Sequence, residues 1–316
     1  MKRFVSIAAA SAAAVMLMTG SAVAQDATSR TFKLTLLGTG TPNPTIKRFG
    51  AAILVQAGGK NLLFDAGRGV TQRLFQAKMP FGKIDRVFLT HLHSDHVVGI
   101  PDLWLTGWLG APFARRKGPF RITGPVGTAS MMAHLEKAYA WDIKTRHEDQ
   151  RLPVANVTVE AKDMTEGVVY DESGIKITAI KVNHGEKIDP AYGYRIDFDG
   201  RTVVLSGDTK FTENLVNGAK GADLIIHSVA SISPGLLKKS KVMRSILSYH
   251  SEPEDTAKVF NAVKPKLALY SHIVTYGGHK DADIMRRVKA KYSGDVRMGR
   301  DLMAVEIGKD AVKVLN

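Results

Sequence analysis

The chain has 316 residues, with 44 Lys and Arg against 30 Asp and Glu, giving a formal net charge of +14. Its 44% hydrophobic and 23% charged content is that of a globular protein and excludes disordered, collagenous and coiled-coil chains. Cysteine is absent, which excludes disulfides, cysteine-ligated zinc, iron–sulfur clusters and a cysteine nucleophile.

In chain order, Lys2 and Arg3 come first. An apolar, alanine-rich run from Phe4 to Met18 follows, and then Ala22-Val23-Ala24. This pattern predicts a secretory signal peptide over residues 1–24. Cleavage would leave residues 25–316 as one domain, periplasmic or secreted, with no membrane contact. An uncleaved anchor is the alternative, but the run is weakly apolar for a spanning helix.

Strands are expected at Phe32–Leu37, Ala51–Gln56 and Lys60–Phe64, with a hairpin turn at Ala57-Gly58-Gly59. Val70–Ala77 reads as a short helix. Asp85–Thr90 reads as a buried strand, and residues 128–140 as a helix. Strands follow at Lys176–Val182, Gly193–Phe198 and Thr202–Ser206, the last two joined by an Asp199-Gly200 turn. Asp223–Ile226 and Leu267–Tyr270 are the last strands. Between them a helix to about Val263 opens at Ser251, with Glu254 expected to complete a capping box. No linker divides the chain, so a sheet-rich core flanked by helices in one domain is expected.

The strongest feature is His91-Leu92-His93-Ser94-Asp95-His96, directly after a buried strand. His91 and His93, two apart in an extended segment, point the same way, while Asp95 and His96 follow a turn. One loop can therefore serve two adjacent metals. Imidazole with carboxylate suits zinc, with iron or manganese also open. Completing two coordination shells takes further ligands. His184, Asp208 and His272 each follow an expected strand and supply them.

This HxHxDH motif resembles the metallo-β-lactamase superfamily. Leu37-Gly38-Thr39-Gly40-Thr41-Pro42 with Arg48, Leu63-Phe64-Asp65-Ala66-Gly67, Ile84 to His91, Gly124-Pro125-Val126-Gly127-Thr128 and Tyr249-His250-Ser251 are similar to its tRNase Z branch. Asp65 to Val70 and the Trp-rich Pro101–Trp108 stretch resemble most the zinc-dependent arylsulfatases of that branch. The resemblance implies an αββα sandwich. By position it implies one zinc on His91, His93 and His184, a second on Asp95, His96 and His272, and Asp208 between them. Asp65 would orient a metal ligand. Asp95 and His250 are the residues assigned to the chemistry, His250 as proton donor to the leaving oxygen.

Two such metals would lower the pKa of a shared water, and the hydroxide would attack an electrophilic ester centre. The expected function is therefore an exported dinuclear zinc hydrolase of small anionic esters, with aryl sulfates first and phosphodiesters the alternative. A lactonase or β-lactamase-like enzyme on the same metals is a further alternative. A non-catalytic polyanion-binding protein is disfavoured because all seven ligands are present.

The tRNase Z pattern has His-Glu-Ala-Thr where this chain has His227-Ser228-Val229-Ala230, so the glutamate that would pair with His250 is missing. No Gly/Pro-rich basic arm is found. Nucleic acid is therefore disfavoured as a partner, and a homodimer is left open. Trp104, Trp108 and Phe113 either wall the substrate site or pack a helix onto the sandwich. Arg115–Lys117 and Lys238–Lys241 either attract an anionic ester or simply solvate the surface.

Overall fold

The computed structural model describes residues 30–316. The expected signal peptide and its Ala22-Val23-Ala24 cleavage site lie outside the described residues. In the described part, no helix is long and apolar enough to cross a membrane.

Two sheets carry the fold. The chain first lays down β1 (Phe32–Gly38), β2 (Ala52–Ala57), β3 (Lys60–Phe64), β4 (Arg86–Phe88), β5 (Phe120–Gly124) and β6 (Val159–Asp163). It then builds a second sheet from β7 (Gly167–Glu172), β8 (Ile175–Val182), β9 (Ala191–Phe198), β10 (Arg201–Leu205), β11 (Leu224–Ile232), β12 (Leu267–Tyr276) and β13 (Val296–Met298). Finally β14 (Met303–Ile307) and β15 (Val312–Val314) return to the first sheet, where β14 pairs antiparallel with β1. The turns read from sequence are present: Gly58 and Gly59, and likewise Asp199 and Gly200, have positive φ, as tight hairpins of this kind require.

Strand alternation explains the layers. Phe32, Leu34 and Leu36 of β1 face Tyr194, Ile196 and Leu205 of the second sheet in a core between the sheets. The outer face of the first sheet is covered by α1 (Val70–Gln76), α3 (Ile100–Trp108), α4 (Thr128–Ala138) and α5 (Ala140–Gln150). A single turn, α2 (Ser94–Val97), follows β4. The outer face of the second sheet packs against α6 (Glu213–Gly218), α9 (Pro253–Val263) and α10 (Asp281–Lys289). The chain is thus the expected αββα sandwich, an α/β fold with a helical layer outside each sheet.

Several local expectations change. The helix expected at residues 128–140 ends at Ala138, and a second, α5, follows it immediately. The sequence of α5 is too polar to show a strong apolar period. Ser251 does not cap α9: its hydroxyl donates instead to the Thr209 carbonyl at 2.8 Å, and Glu254 binds Arg287. Trp104 and Trp108 are fully buried on the inner side of α3, with their indole N–H groups donating to Val157 and Pro153 carbonyls. They pack the helix onto the sheet and form no substrate wall. Arg116 is buried too, donating to the Leu103 and Trp104 carbonyls of α3, so it offers no surface charge.

Candidate metal centre

Strand ends and a bulge converge where the two sheets meet. β4 leads through Thr90 to His91 and His93, and α2 then carries Asp95 and His96. His184 follows β8. Asp208 follows β10 through Gly207, whose φ is +59° and whose added Cβ would sit 2.5 Å from the Tyr192 carbonyl oxygen. That close approach requires glycine. His272 is the surprise. The sequence places it beyond the end of a strand, but β12 runs on to Tyr276. The pairing shifts here: Ser228 opposes Ser271, while Val229 opposes Ile273. His272 is the extra residue, with φ of +46°, and this bulge turns its ring into the site.

The seven expected metal-ligating residues come together: six of them form two separate groups, Asp208 joins further groups with His91 and His96 and with His184 and His250, and donor atoms within each group lie within 4.8 Å of one another. Of the two separate groups, one is His91, His93 and His184; the other is Asp95, His96 and His272. Asp208 lies between them, with Oδ2 at 3.5 Å from His96 Nε2, 3.9 Å from His184 Nε2 and 3.2 Å from His272 Nε2. Except for His93, all are buried.

The donor set itself tests whether metal fits. His184 Nδ1 is 3.0 Å from the Tyr249 carbonyl, which can only accept, so the Nε2 of a neutral ring carries a lone pair. That Nε2 is 3.2 Å from His93 Nδ1, which is 2.9 Å from His91 Nε2. Three ring nitrogens thus meet within a space where tetrahedral zinc would hold them roughly 3.3 Å apart. In the second group, His96 Nδ1 donates to Asp65 at 2.8 Å, and its Nε2 is buried without a hydrogen-bond partner. A buried imidazole nitrogen aimed at two carboxylates fits a cation.

Electrostatics agrees. Burial pushes His91 well below the ordinary imidazole value, and burial also lowers His93 and His184, which keeps them neutral as ligands must be. Burial opposes ionisation of Asp208, but His272 and His96 outweigh it and hold the carboxyl well below its usual value. Burial would likewise depress His96, yet Asp65 and Asp208 raise it well above its usual value. The carboxylates demand positive charge at this point, and a divalent cation supplies it.

Asp65, expected to orient a ligand, stands behind His96. It accepts from His96 Nδ1, from the Thr90 backbone N–H at 2.8 Å and from the Thr90 hydroxyl at 2.9 Å. Its loop passes so close to the histidine loop that a Cβ on Gly67 would lie 2.4 Å from the Asp95 carbonyl oxygen.

His250 is buried beside the metal groups, its ring stacked 5.6 Å from His272. Burial lowers it to about 3, so it is neutral at neutral pH. The Ser251 bond to Thr209 ties its loop to that of Asp208. A cleft of about 430 Å³ opens over the donors, walled by Thr41, Pro42, Ile246, Tyr249, Val274 and Tyr276. The sequence reading missed these tyrosines as walls. Their signal was position, since Tyr249 precedes His250 and Tyr276 lies four residues after His272.

The family model described as a beta-lactamase superfamily domain matches residues 60–273. The chain is 34% identical over 279 residues to ribonuclease Z of Mycobacterium bovis, covering 87% of this chain and 98% of that protein. In fold it is similar to the metallo-β-lactamase fold protein YhfI from Bacillus subtilis, at TM-score 0.68 and 19% identity, covering 87% of this chain and 99% of the other. The short form of human tRNase Z matches at TM-score 0.63 and 22% identity, again over 87% and 99%. The chain belongs to the metallo-β-lactamase superfamily and is a metal-dependent hydrolase, with buried histidine and aspartate clusters suited to a dinuclear site. The arylsulfatase assignment expected from Asp65–Val70 and the tryptophans is not supported: the relatives are ribonuclease Z, and the tryptophans belong to the core.

Proposed function

We propose that the protein is a dinuclear zinc phosphodiesterase. The observation that carries this reading is the convergence of seven donors in one open cleft, in a chain that matches ribonuclease Z along nearly its whole length. His91, His93 and His184 would hold one ion. Asp95, His96 and His272 would hold the other, with Asp208 reaching both. When bound, the ions supply an acidified water and offset charge on the phosphoryl oxygens.

The chain's own residues do the rest. Asp65 and the Tyr249 carbonyl each bind one ring nitrogen of a histidine, so the other nitrogen faces the site. His250 is neutral before the reaction and keeps one ring N–H. It would donate that N–H as a hydrogen bond to the leaving oxygen as negative charge develops there, and the leaving oxygen would take its proton from water. Ser228 stands where the relatives' pattern has glutamate, and its hydroxyl and His250 Nδ1 are both buried without partners. His250 therefore acts without a carboxylate behind it, which favours diesters with good leaving groups. Residues 1–24, read as a signal peptide, support an exported enzyme.

The test is turnover of bis(4-nitrophenyl) phosphate, 4-nitrophenyl sulfate and a chromogenic β-lactam by protein of measured zinc content, with and without chelator. Chelator-sensitive preference for the diester is expected. Preference for the sulfate would restore the aryl sulfate reading, and preference for the lactam would move the reaction to carbonyl carbon.

A further inference from the structure

Between β11 and His250 the chain makes two short helices that the reaction above does not use: α7 (Pro234–Lys239) and α8 (Lys241–Ser248), capped by Ser233 and Ser240. Residues 233–251 contain Lys238, Lys239, Lys241 and Arg244 and no acidic residue. All four cations are exposed, and among the described residues none pairs with a carboxylate. Arg244 folds back onto the Leu237 and Lys238 carbonyls, which fixes one helix against the other.

α8 and its C-cap residue Tyr249 carry an apolar stripe. Val242, Ile246 and Tyr249 are spaced four and three residues apart and so share one face. Ile246 and Tyr249 wall the metal cleft, while Val242, one turn further out, keeps 64% of its surface exposed. The stripe thus leads from solvent to the donors. An eight-residue helix is about 12 Å long, so its cations flank that path within about two turns of Ile246. An apolar track bordered by unpaired cations suits a nucleic acid strand, with bases on the apolar side and phosphates on the cations. It suits a membrane less well, because the face that would enter lipid is turned into the cleft.

We propose that this helical pair is a docking arm for single-stranded nucleic acid. Lys238, Lys239 and Lys241 hold backbone phosphates, while Val242, Ile246 and Tyr249 receive the bases that lead to the scissile bond. This rests on the phosphodiesterase reading and names its substrate as a polymer. It runs against the sequence-based expectation that nucleic acid is disfavoured as a partner, which was founded on the missing glutamate and the missing Gly/Pro-rich arm.

The test uses the zinc-loaded full protein and its K238Q/K239Q/K241Q variant, with folding checked by thermal melting. Substrates are a short oligouridylate and bis(4-nitrophenyl) phosphate. The variant should turn over the small diester as the wild type does, yet show a higher KM for the oligomer. The slope of its log KM against log salt should fall by about 0.7 for each phosphate that the variant no longer neutralises. Equal KM and salt slope in both proteins would overturn the proposal. So would an unchanged oligomer KM with weakened binding to phosphatidylserine vesicles, which would make the arm a membrane anchor. If the wild type holds two zinc ions but cleaves neither substrate, the phosphodiesterase reading fails. Salt-dependent oligouridylate binding by fluorescence anisotropy then still decides the arm: weakened binding in the variant supports it, and equal binding overturns it.

Discussion

At the floor of the cleft the donors are held from behind: His96 by Asp65, His184 by the Tyr249 carbonyl and Asp208 by the Gly207 turn. At the rim, α8 buries none of its residues and meets solvent with cations and an exposed valine. The floor is fixed by strand ends that also close the core, so it tolerates little change. The rim hangs on a short connection and can vary without disturbing the chemistry. On the reading proposed above, reaction type is set by the floor and substrate choice by the rim.

Breaking the floor at its centre should have the largest effect. Asp208→Ala should remove both zinc ions and reduce diester turnover to background, measured by elemental analysis and kinetics on the same sample. Retained metal with normal turnover would remove Asp208 from the site. His250→Ala comes next, slowing turnover by ~10²–10⁴-fold with both metals kept, and most for poor leaving groups. A loss of metal in this variant would instead make His250 a ligand, since its ring lies within reach of His184 and Asp208. Asp65→Ala should weaken metal affinity or activity by ~10–100-fold, because it acts through His96 and the Thr90 turn and not on a metal itself. A metal titration separates this from a direct role, since excess zinc should restore the turnover.

The smallest effect is one of pH on stability. His227 is fully buried on β11, and burial lowers it to about 4. As pH falls below about 6.5 the unfolded chain takes up this proton and the folded chain does not. Stability should therefore decline from about pH 6.5 to about pH 4, with no further contribution below that. Denaturant midpoints across this range should show a weaker decline in His227→Gln. An identical decline would place the acid sensitivity elsewhere.

Much of the floor was legible because its ligands lie within one short motif or next to apolar runs that announce strands. Asp65 was legible through the motif around it. His272 was visible as a candidate, but its bulge was not: a positive φ on histidine leaves no trace in hydropathy, and a strand continuing past it looks the same as one that ends there. Trp104 and Trp108 misled because an aromatic cluster near a metal motif reads equally as wall or as core. Only the carbonyls of Val157 and Pro153, some fifty residues away in sequence, decide for the core. The tyrosines of the rim were hidden for the same reason, since the segments that bring Tyr249 and Tyr276 together do not meet in sequence.

The pairing of β1 with β14 has a further consequence. Asp301 accepts from the Thr39 backbone N–H across 262 positions of sequence and also binds Phe49 and Arg73. The loop that includes Thr41 and Pro42 is thus anchored by a residue made long after it. Loop closure over such a distance is slow, and it cannot begin until that residue exists. The histidine motif is made about two hundred residues before Asp301, so the wall opposite it acquires its anchor only after the whole site has been synthesised. Truncation after β13 should therefore leave the histidine motif present in a chain whose cleft has no fixed edge.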